Sequence, residues 1–262
     1  MQGSSQQQSR LSRELASFQG IWKGGYYEGD PLDPLSHSGY LELGYMSVLH
    51  VTYLTCIKPY VDENTVACEI GPGRGSWTRC LLPAKEVWCL DALSAEHNRF
   101  WEYIGPAPHV RYFQVDDFSC SMLPSNGIDY LFSFGCLCHV SFAGIGEYMK
   151  NLFPKLRSKA QCFIMVADYD KLNRAVQNTE RLSVFRGLPL PLQRVAKYYR
   201  RLQPKAALTS KSPDPNDDPA PGRWYHAGVA RTCEMLERLS YRIIEPDMGV
   251  NHRDPVIHFT KD

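Results

Sequence analysis

From Val66 onward the chain alternates short apolar runs with amphipathic stretches, and this alternation restricts it to few folds. TVACEI, EVWCLDA, VRYFQV and IDYLFSF read as strands, with SWTRCLLP and SAEHNRFWEYI as helical segments between the first three. Phe142 to Leu156 carries Ile145, Met149, Leu152, Phe153 and Leu156 at helical spacing, and the apolar run QCFIMVAD follows as another strand. Strands that alternate with helices in this way predict an α/β fold, a mainly parallel sheet with helical crossovers on both faces. Val229, Cys233, Leu236 and Leu239 form a last helical stripe, and YRIIEP and PVIHFT close the chain as a hairpin.

The flanking segments read differently. Residues 1–10 are Gln/Ser-rich, with too little apolar area to offset the entropy of ordering, and are expected to be disordered. FQGIWKGGYYEGDPLDPLSHSGY is too rich in Gly and Pro for a long helix, yet its aromatic surface must dock somewhere, as plain packing or as a lid over a ligand. Residues 40–59 place Leu41, Leu43, Met46, Leu49, Tyr53 and Leu54 in a loosely helical pattern. Residues 171–203 look helical but broken at GLPLP, and 204–222 are rich in Pro, Asp and Ser, so 171–222 reads as a helical and loop insertion. The expected organisation is an N-terminal extension or lid over 11–60, a core over 61–170, the insertion, and a return to the core over 223–262.

A chain of 262 residues, 44% of them hydrophobic, can bury one sizeable core. Its 29 basic residues against 28 acidic ones leave no excess to neutralise a phosphate backbone, so a nucleic-acid partner is not expected. The stretch around Lys197, Arg200 and Arg201 reads as a solvated helix face. No run is apolar enough to span a bilayer, and MQGSSQQQSR does not look like a secretory signal, so the expectation is a cytoplasmic protein without a membrane partner. The nine cysteines sit in hydrophobic runs and read as buried reduced thiols. Cys136-Leu-Cys138 has the wrong spacing for a redox pair, and no metal site is expected.

The most informative string is CEIGPGRGSWT, Cys68 to Thr78, a glycine turn between an apolar strand and a helix start. Gly71, Gly73 and Gly75 let the backbone turn sharply and approach a ligand with no Cβ in the way. Glu69 lies two residues before the first glycine, and Asp91 ends the next strand 20 residues after it, where a carboxylate can accept both hydroxyls of a ribose. Asp91 could instead be a helix cap or turn residue. A dinucleotide fingerprint would need Gly or Ala at position 76, where this chain has Ser76.

Glu69-Ile-Gly71-Pro-Gly73-Arg-Gly75 resembles the first motif of the class I S-adenosylmethionine (SAM) dependent methyltransferases, E/D-x-G-x-G-x-G after the first strand. The resemblance extends over about 64–168 and over the closing helix and hairpin. It implies a Rossmann-like sheet of seven strands, the seventh reversed, with SAM as cofactor and S-adenosylhomocysteine (SAH) as its product. By position, Glu69, Gly71, Pro72, Gly73, Gly75 and Trp77 would lie along the methionine part of SAM, and Asp91 with Ala92 would hold the ribose. Asp117, or Asp116 in its place, would accept from the adenine amino group, with Phe118 and Phe134 nearby. The Asp pair could equally be turn chemistry.

Methyl transfer to a hydroxyl needs alignment and a base. His139 follows the fourth strand, beyond the carboxyl edge of the sheet where ligands of open α/β folds bind, and is the first choice for general base. Asp168-Tyr169-Asp170 ends the fifth strand on the same edge; these residues, Asp168 first, could hold acceptor hydroxyls, support His139 or ligate a divalent cation, with helix capping by Asp170 as the alternative. Tyr26, Tyr27, Tyr169 and His226 are candidates for holding a small-molecule acceptor; Asn251, Arg253 and Asp254 in the last loop could also reach it. From WKGGYY through FSFG-x-x-CH to RDPVIHF the pattern is similar to bacterial proteins catalogued as sugar O-methyltransferases, which implies a sugar or another hydroxylated acceptor. N-methylation of a small amine and a catalytically silent SAM-binding protein are the competing readings, and homodimerisation is left open.

Overall fold

The computed structural model describes residues 11–27, 29–36, 46–175 and 224–262. The expected disorder of 1–10, the Leu41 and Leu43 end of the 40–59 helix and most of the 171–222 insertion lie outside the described residues.

Seven strands form one sheet: β1 (Val66–Ile70), β2 (Glu86–Asp91), β3 (Val110–Gln114), β4 (Ile128–Ser133), β5 (Leu156–Met165), β6 (Tyr241–Glu245) and β7 (Val256–Lys261). Their order is β3-β2-β1-β4-β5-β7-β6, with β7 antiparallel to both neighbours and the pairs from β3 to β5 parallel. The order reverses between β2-β1 and β4, so the chain leaves β1 and β4 in opposite directions and opens a crevice at their carboxyl ends. β1 is buried along its whole length, as a central strand covered on both faces must be.

The alternation of side chains divides the core in two. Cys68, Ile70, Leu131 and Ile164 face one layer with Ile145, Met149 and Leu236 of the covering helices. Ala67, Phe132, Phe163 and Met165 face the other, with Ile57 and Leu81. The α-helices among the described residues are α1 (residues 11–18), α2 (Val48–Thr52), α3 (Thr78–Leu81), α4 (Phe100–Ile104), α5 (Phe142–Leu152), α6 (residues 169–175) and α7 (Val229–Arg238).

Two helical readings are modified. α2 widens into a π turn over Tyr53–Ile57, which buries Cys56 and Ile57; the buried Tyr130 hydroxyl donates to the Cys56 carbonyl at 2.7 Å, satisfying both groups. SAEHNRFWEYI is helical only from Phe100, because Arg99 takes a left-handed φ of 54° that breaks the preceding turn. All nine cysteines are free, seven of them buried, as reduced thiols in apolar runs should be. No described helix is long and apolar enough to cross a membrane.

Candidate cofactor and acceptor site

The glycine turn leaves β1 at the switch in strand order. Gly71, Gly73 and Gly75 take φ of +72°, +54° and +103°, in the range that disfavours side chains. A Cβ on Gly71 would stand 2.3 Å from both Cβ and Sγ of Cys136, at the exit of β4, so only glycine lets these two strand ends approach. The Gly71 N–H donates to the Leu90 carbonyl (2.8 Å) and the Gly73 N–H to Asp91 Oδ2 (3.0 Å), tying the turn to the end of β2. Asp91 Oδ1 accepts from the Leu93 N–H at 2.8 Å. Burial pushes the Asp91 carboxyl up, and these N–H donors pull it back only in part.

Glu69, two residues before Gly71 in β1 and paired with Cys89 of β2, is 1% exposed. Its Oε2 accepts from the Thr78 hydroxyl at 2.6 Å and from the Cys89 thiol at 3.9 Å, both neutral donors. Burial, with the Asp91 charge adding to it, pushes Glu69 up to about 8 against the Thr78 hydrogen bond.

A cleft of about 110 Å³ opens above the turn, floored by Ile70, Gly71, Gly73 and Asp91 and walled by His139 and Tyr148. Its roof is the N-terminal segment, with Leu15, Phe18, Trp22 and Tyr26 lining it. Phe18, Trp22, Gly24 and Tyr26 of the aromatic segment line this cleft. Glu14 tethers α1: its Oε1 accepts from the Ser141 N–H (2.6 Å) and its Oε2 from the Ser141 hydroxyl (2.7 Å), while that hydroxyl accepts the Gly144 N–H and caps α5. Burial pushes Glu14 up, and the two Ser141 donors work against it.

Farther along, His97 Nε2 donates to the Trp22 carbonyl at 3.1 Å and the Gly25 N–H donates to Asn98 Oδ1 at 3.1 Å. Gly24 allows this approach, since a Cβ there would lie 2.2 Å from the His97 ring. The Asn98 amide also donates to the Tyr112 hydroxyl, which donates on to the Leu93 carbonyl, both at 2.8 Å. One side chain therefore links the roof to the loop that follows Asp91.

The sequence-derived candidates separate into three groups. Gly71, Gly73, Asp91, Ala92, Tyr26 and His139 come together on the cleft. His139 sits in a short 3-10 turn after β4, its ring edge-on to Trp22 with centroids 4.8 Å apart. Pro72 and Gly75 complete the turn, whereas Trp77 and Phe134 pack on each other in the core at 4.7 Å and Phe118 packs on Tyr148 at 4.8 Å. Asp116 and Asp117 are exposed, and Asp117 Oδ1 accepts from the Ser119 N–H in a local turn.

The third group lies beside the cleft, at the ends of β5 and β7. Asp168 is buried; its Oδ1 accepts from the Lys171 N–H at 2.8 Å and its Oδ2 from the Val229 N–H at 3.0 Å, so it caps both α6 and α7. Burial raises Asp168, but these N–H groups outweigh it and hold the carboxyl below its ordinary range. Helix capping, the alternative for Asp170, is done by Asp168. The Tyr169 N–H donates to His226 Nδ1 at 3.0 Å, and the Tyr169 hydroxyl donates to the Trp224 carbonyl. The Tyr225 N–H donates to the Cys138 carbonyl at 2.8 Å, which brings the 224–226 segment against the turn that carries His139. Tyr27 stands outside, packed on Tyr103 at 5.5 Å with the Arg74 guanidinium over its ring.

Sequence reading missed Leu15, Phe18, Trp22, Asn98 and Tyr148 as lining residues. Trp22 lay in the segment singled out for its aromatics; Asn98 carried no signal, because its role exists only once the roof is docked.

Two solved structures share this architecture. A SAM-dependent methyltransferase from Mesorhizobium loti is 14% identical, over 82% of this chain and 98% of that one, with a TM-score of 0.54. A protein assigned as a SAM-dependent methyltransferase, from Listeria monocytogenes, is also 14% identical, over 81% of this chain and 99% of that one, with a TM-score of 0.52. At such identity the likeness is one of fold: the chain has the α/β fold of the class I methyltransferases, reversed seventh strand included. No protein-family model matches the chain, and no curated protein matches it in sequence.

Proposed function

We propose that this chain is a SAM-dependent methyltransferase that acts on a small molecule, a hydroxyl of a sugar or of another polyhydroxylated acceptor. The observation that carries the cofactor reading is the Asp91 carboxylate on the cleft floor, held by the Gly73 N–H of a turn that only glycine at position 71 can make. Each Asp91 oxygen accepts one backbone N–H, from Gly73 or Leu93, and keeps a further lone pair for a ribose hydroxyl, and the side-chain-free turn beside it leaves room for the methionine part.

Bound there, SAM would supply a methyl carbon on a sulfonium, and the acceptor oxygen would take it as the carbon–sulfur bond breaks with its electron pair on sulfur. The chain's own work is positioning and proton removal. Asp91 and the glycine turn orient the cofactor, the roof excludes water, and His139 on the cleft wall takes the hydroxyl proton. Tyr26 in the roof, with Tyr169 and His226 beside the cleft, would hold the acceptor. The docking of Trp22 against His139 supports O-methylation over N-methylation, since a hydroxyl must give up its proton and an imidazole is placed under the roof.

Calorimetry with SAM and SAH tests the cofactor reading; absence of measurable binding of either would overturn it. Binding without methyl transfer across a polyol and amine panel would favour a silent binder, and methylated amines would favour the N-methyl reading. His139→Gln is expected to lower kcat about 100-fold and to flatten its pH profile while SAH still binds.

A further inference from the structure

Trp22 has an unmet need in the roof of the cleft. Its indole Nε1 is buried and has no hydrogen-bond partner among the described residues, although its ring lines the cleft and lies edge-on to His139 at 4.8 Å. Buried indole N–H groups normally find an acceptor, and one left without a partner calls for an explanation at that site. The ring is not loosely placed. The Trp22 N–H donates to the Phe18 carbonyl at 3.0 Å, its own carbonyl accepts from His97 at 3.1 Å, and Glu14 and Asn98 tether the segment on either side. Apolar packing alone would be served as well by Phe, which Phe18 already provides one helical turn earlier.

We propose that the Trp22 indole N–H is an acceptor-binding donor, and that it pairs with an oxygen adjacent to the hydroxyl that His139 deprotonates. The acceptor is then a molecule with two neighbouring oxygens, a vicinal diol or hydroxy-ether, rather than an isolated alcohol. The 4.8 Å between the ring centroids fits this class, because neighbouring oxygens on one carbon framework lie about 3 Å apart and one small acceptor can lie against both rings. The inference rests on the methyltransferase reading and narrows its acceptor. It also gives selectivity a physical source: an acceptor lacking the second oxygen leaves the indole N–H buried and unpaired.

The test uses two probes of equal ring size, vicinal trans-cyclohexanediol and cyclohexanol, added to the full chain in the presence of SAH. The readout is the Trp22 indole N–H proton resonance, identified by its absence in Trp22→Phe. The diol is expected to move that resonance downfield and to bind more tightly than cyclohexanol, and Trp22→Phe to reduce the diol-over-alcohol affinity ratio about tenfold. Trp22→Phe keeps a ring against His139, so a packing role alone would leave the ratio unchanged. A resonance unmoved by the diol, equal movement with both probes, or an unchanged ratio in Trp22→Phe would each overturn the proposal. SAH binding measured in the same samples distinguishes that failure from failure of the cofactor reading.

Discussion

Glu69 makes the fold itself dependent on pH, in a direction opposite to that of most carboxylates. Its carboxyl is 1% exposed, faces only a hydroxyl and a thiol, and is pushed by burial from 4.5 to about 8. Between those two values the folded chain holds a proton that the unfolded chain has released, so stability falls as pH rises through the window. Below 4.5 both states are protonated and above about 8 both are ionised, so the curve is flat at either end. Each tenfold difference in proton affinity is worth about 1.4 kcal/mol, so the full span corresponds to about 5 kcal/mol. That is a large part of the roughly 5–15 kcal/mol that holds a domain folded. Asp91 is raised too and adds a slope of the same sign, so the comparison must be with a variant in which only Glu69 is altered. Glu69→Gln keeps the shape and an oxygen for the Thr78 hydroxyl but never ionises. Urea unfolding at intervals from pH 5 to 8.5 should show the wild-type chain losing stability relative to Glu69→Gln by about 4 kcal/mol across the range. Parallel curves, or a wild type that gains on the variant as pH rises, would refute the burial argument.

The same group should couple cofactor uptake to protons: if an ammonium pairs with ionised Glu69, affinity for SAH measured between pH 6 and 7.5 rises up to about tenfold per pH unit, with protons released in calorimetry, and Glu69→Gln removes both effects. Asp91→Asn, which removes charge but little shape, should weaken SAH binding about 10- to 100-fold by titration while the circular dichroism stays unchanged. Gly71→Ala must both hold φ near +72° and displace Cys136, and a loss of about 2 kcal/mol or more is expected in chemical denaturation. Glu14→Ala removes the tether that joins α1 to the start of α5, and should cost about 1–2 kcal/mol and speed SAH dissociation in stopped flow.

The sheet was legible because its evidence is local. Val66–Ile70, Glu86–Asp91 and Ile128–Ser133 are apolar runs that only a doubly covered strand explains, and the glycines at 71, 73 and 75 occupy backbone angles open to few other residues. The ends of helices were less legible. The break at Arg99 and the π turn at Tyr53–Ile57 depend on what those backbones meet in the fold, such as the Tyr130 hydroxyl on the Cys56 carbonyl. Asp168 could be read as a site carboxylate because it ends β5 on the proper edge, but its two oxygens are claimed by helix N–H groups from segments 3 and 61 residues away in the chain. The roof was least legible of all. Leu15, Trp22 and Asn98 come to one cleft through distant tethers such as Glu14 to Ser141, 127 residues apart, and no periodicity records such a pairing. What sequence does retain is the strain such pairings leave behind: Gly24, at φ +70° and against the His97 ring, is a position where a loop with free choice would carry almost any side chain.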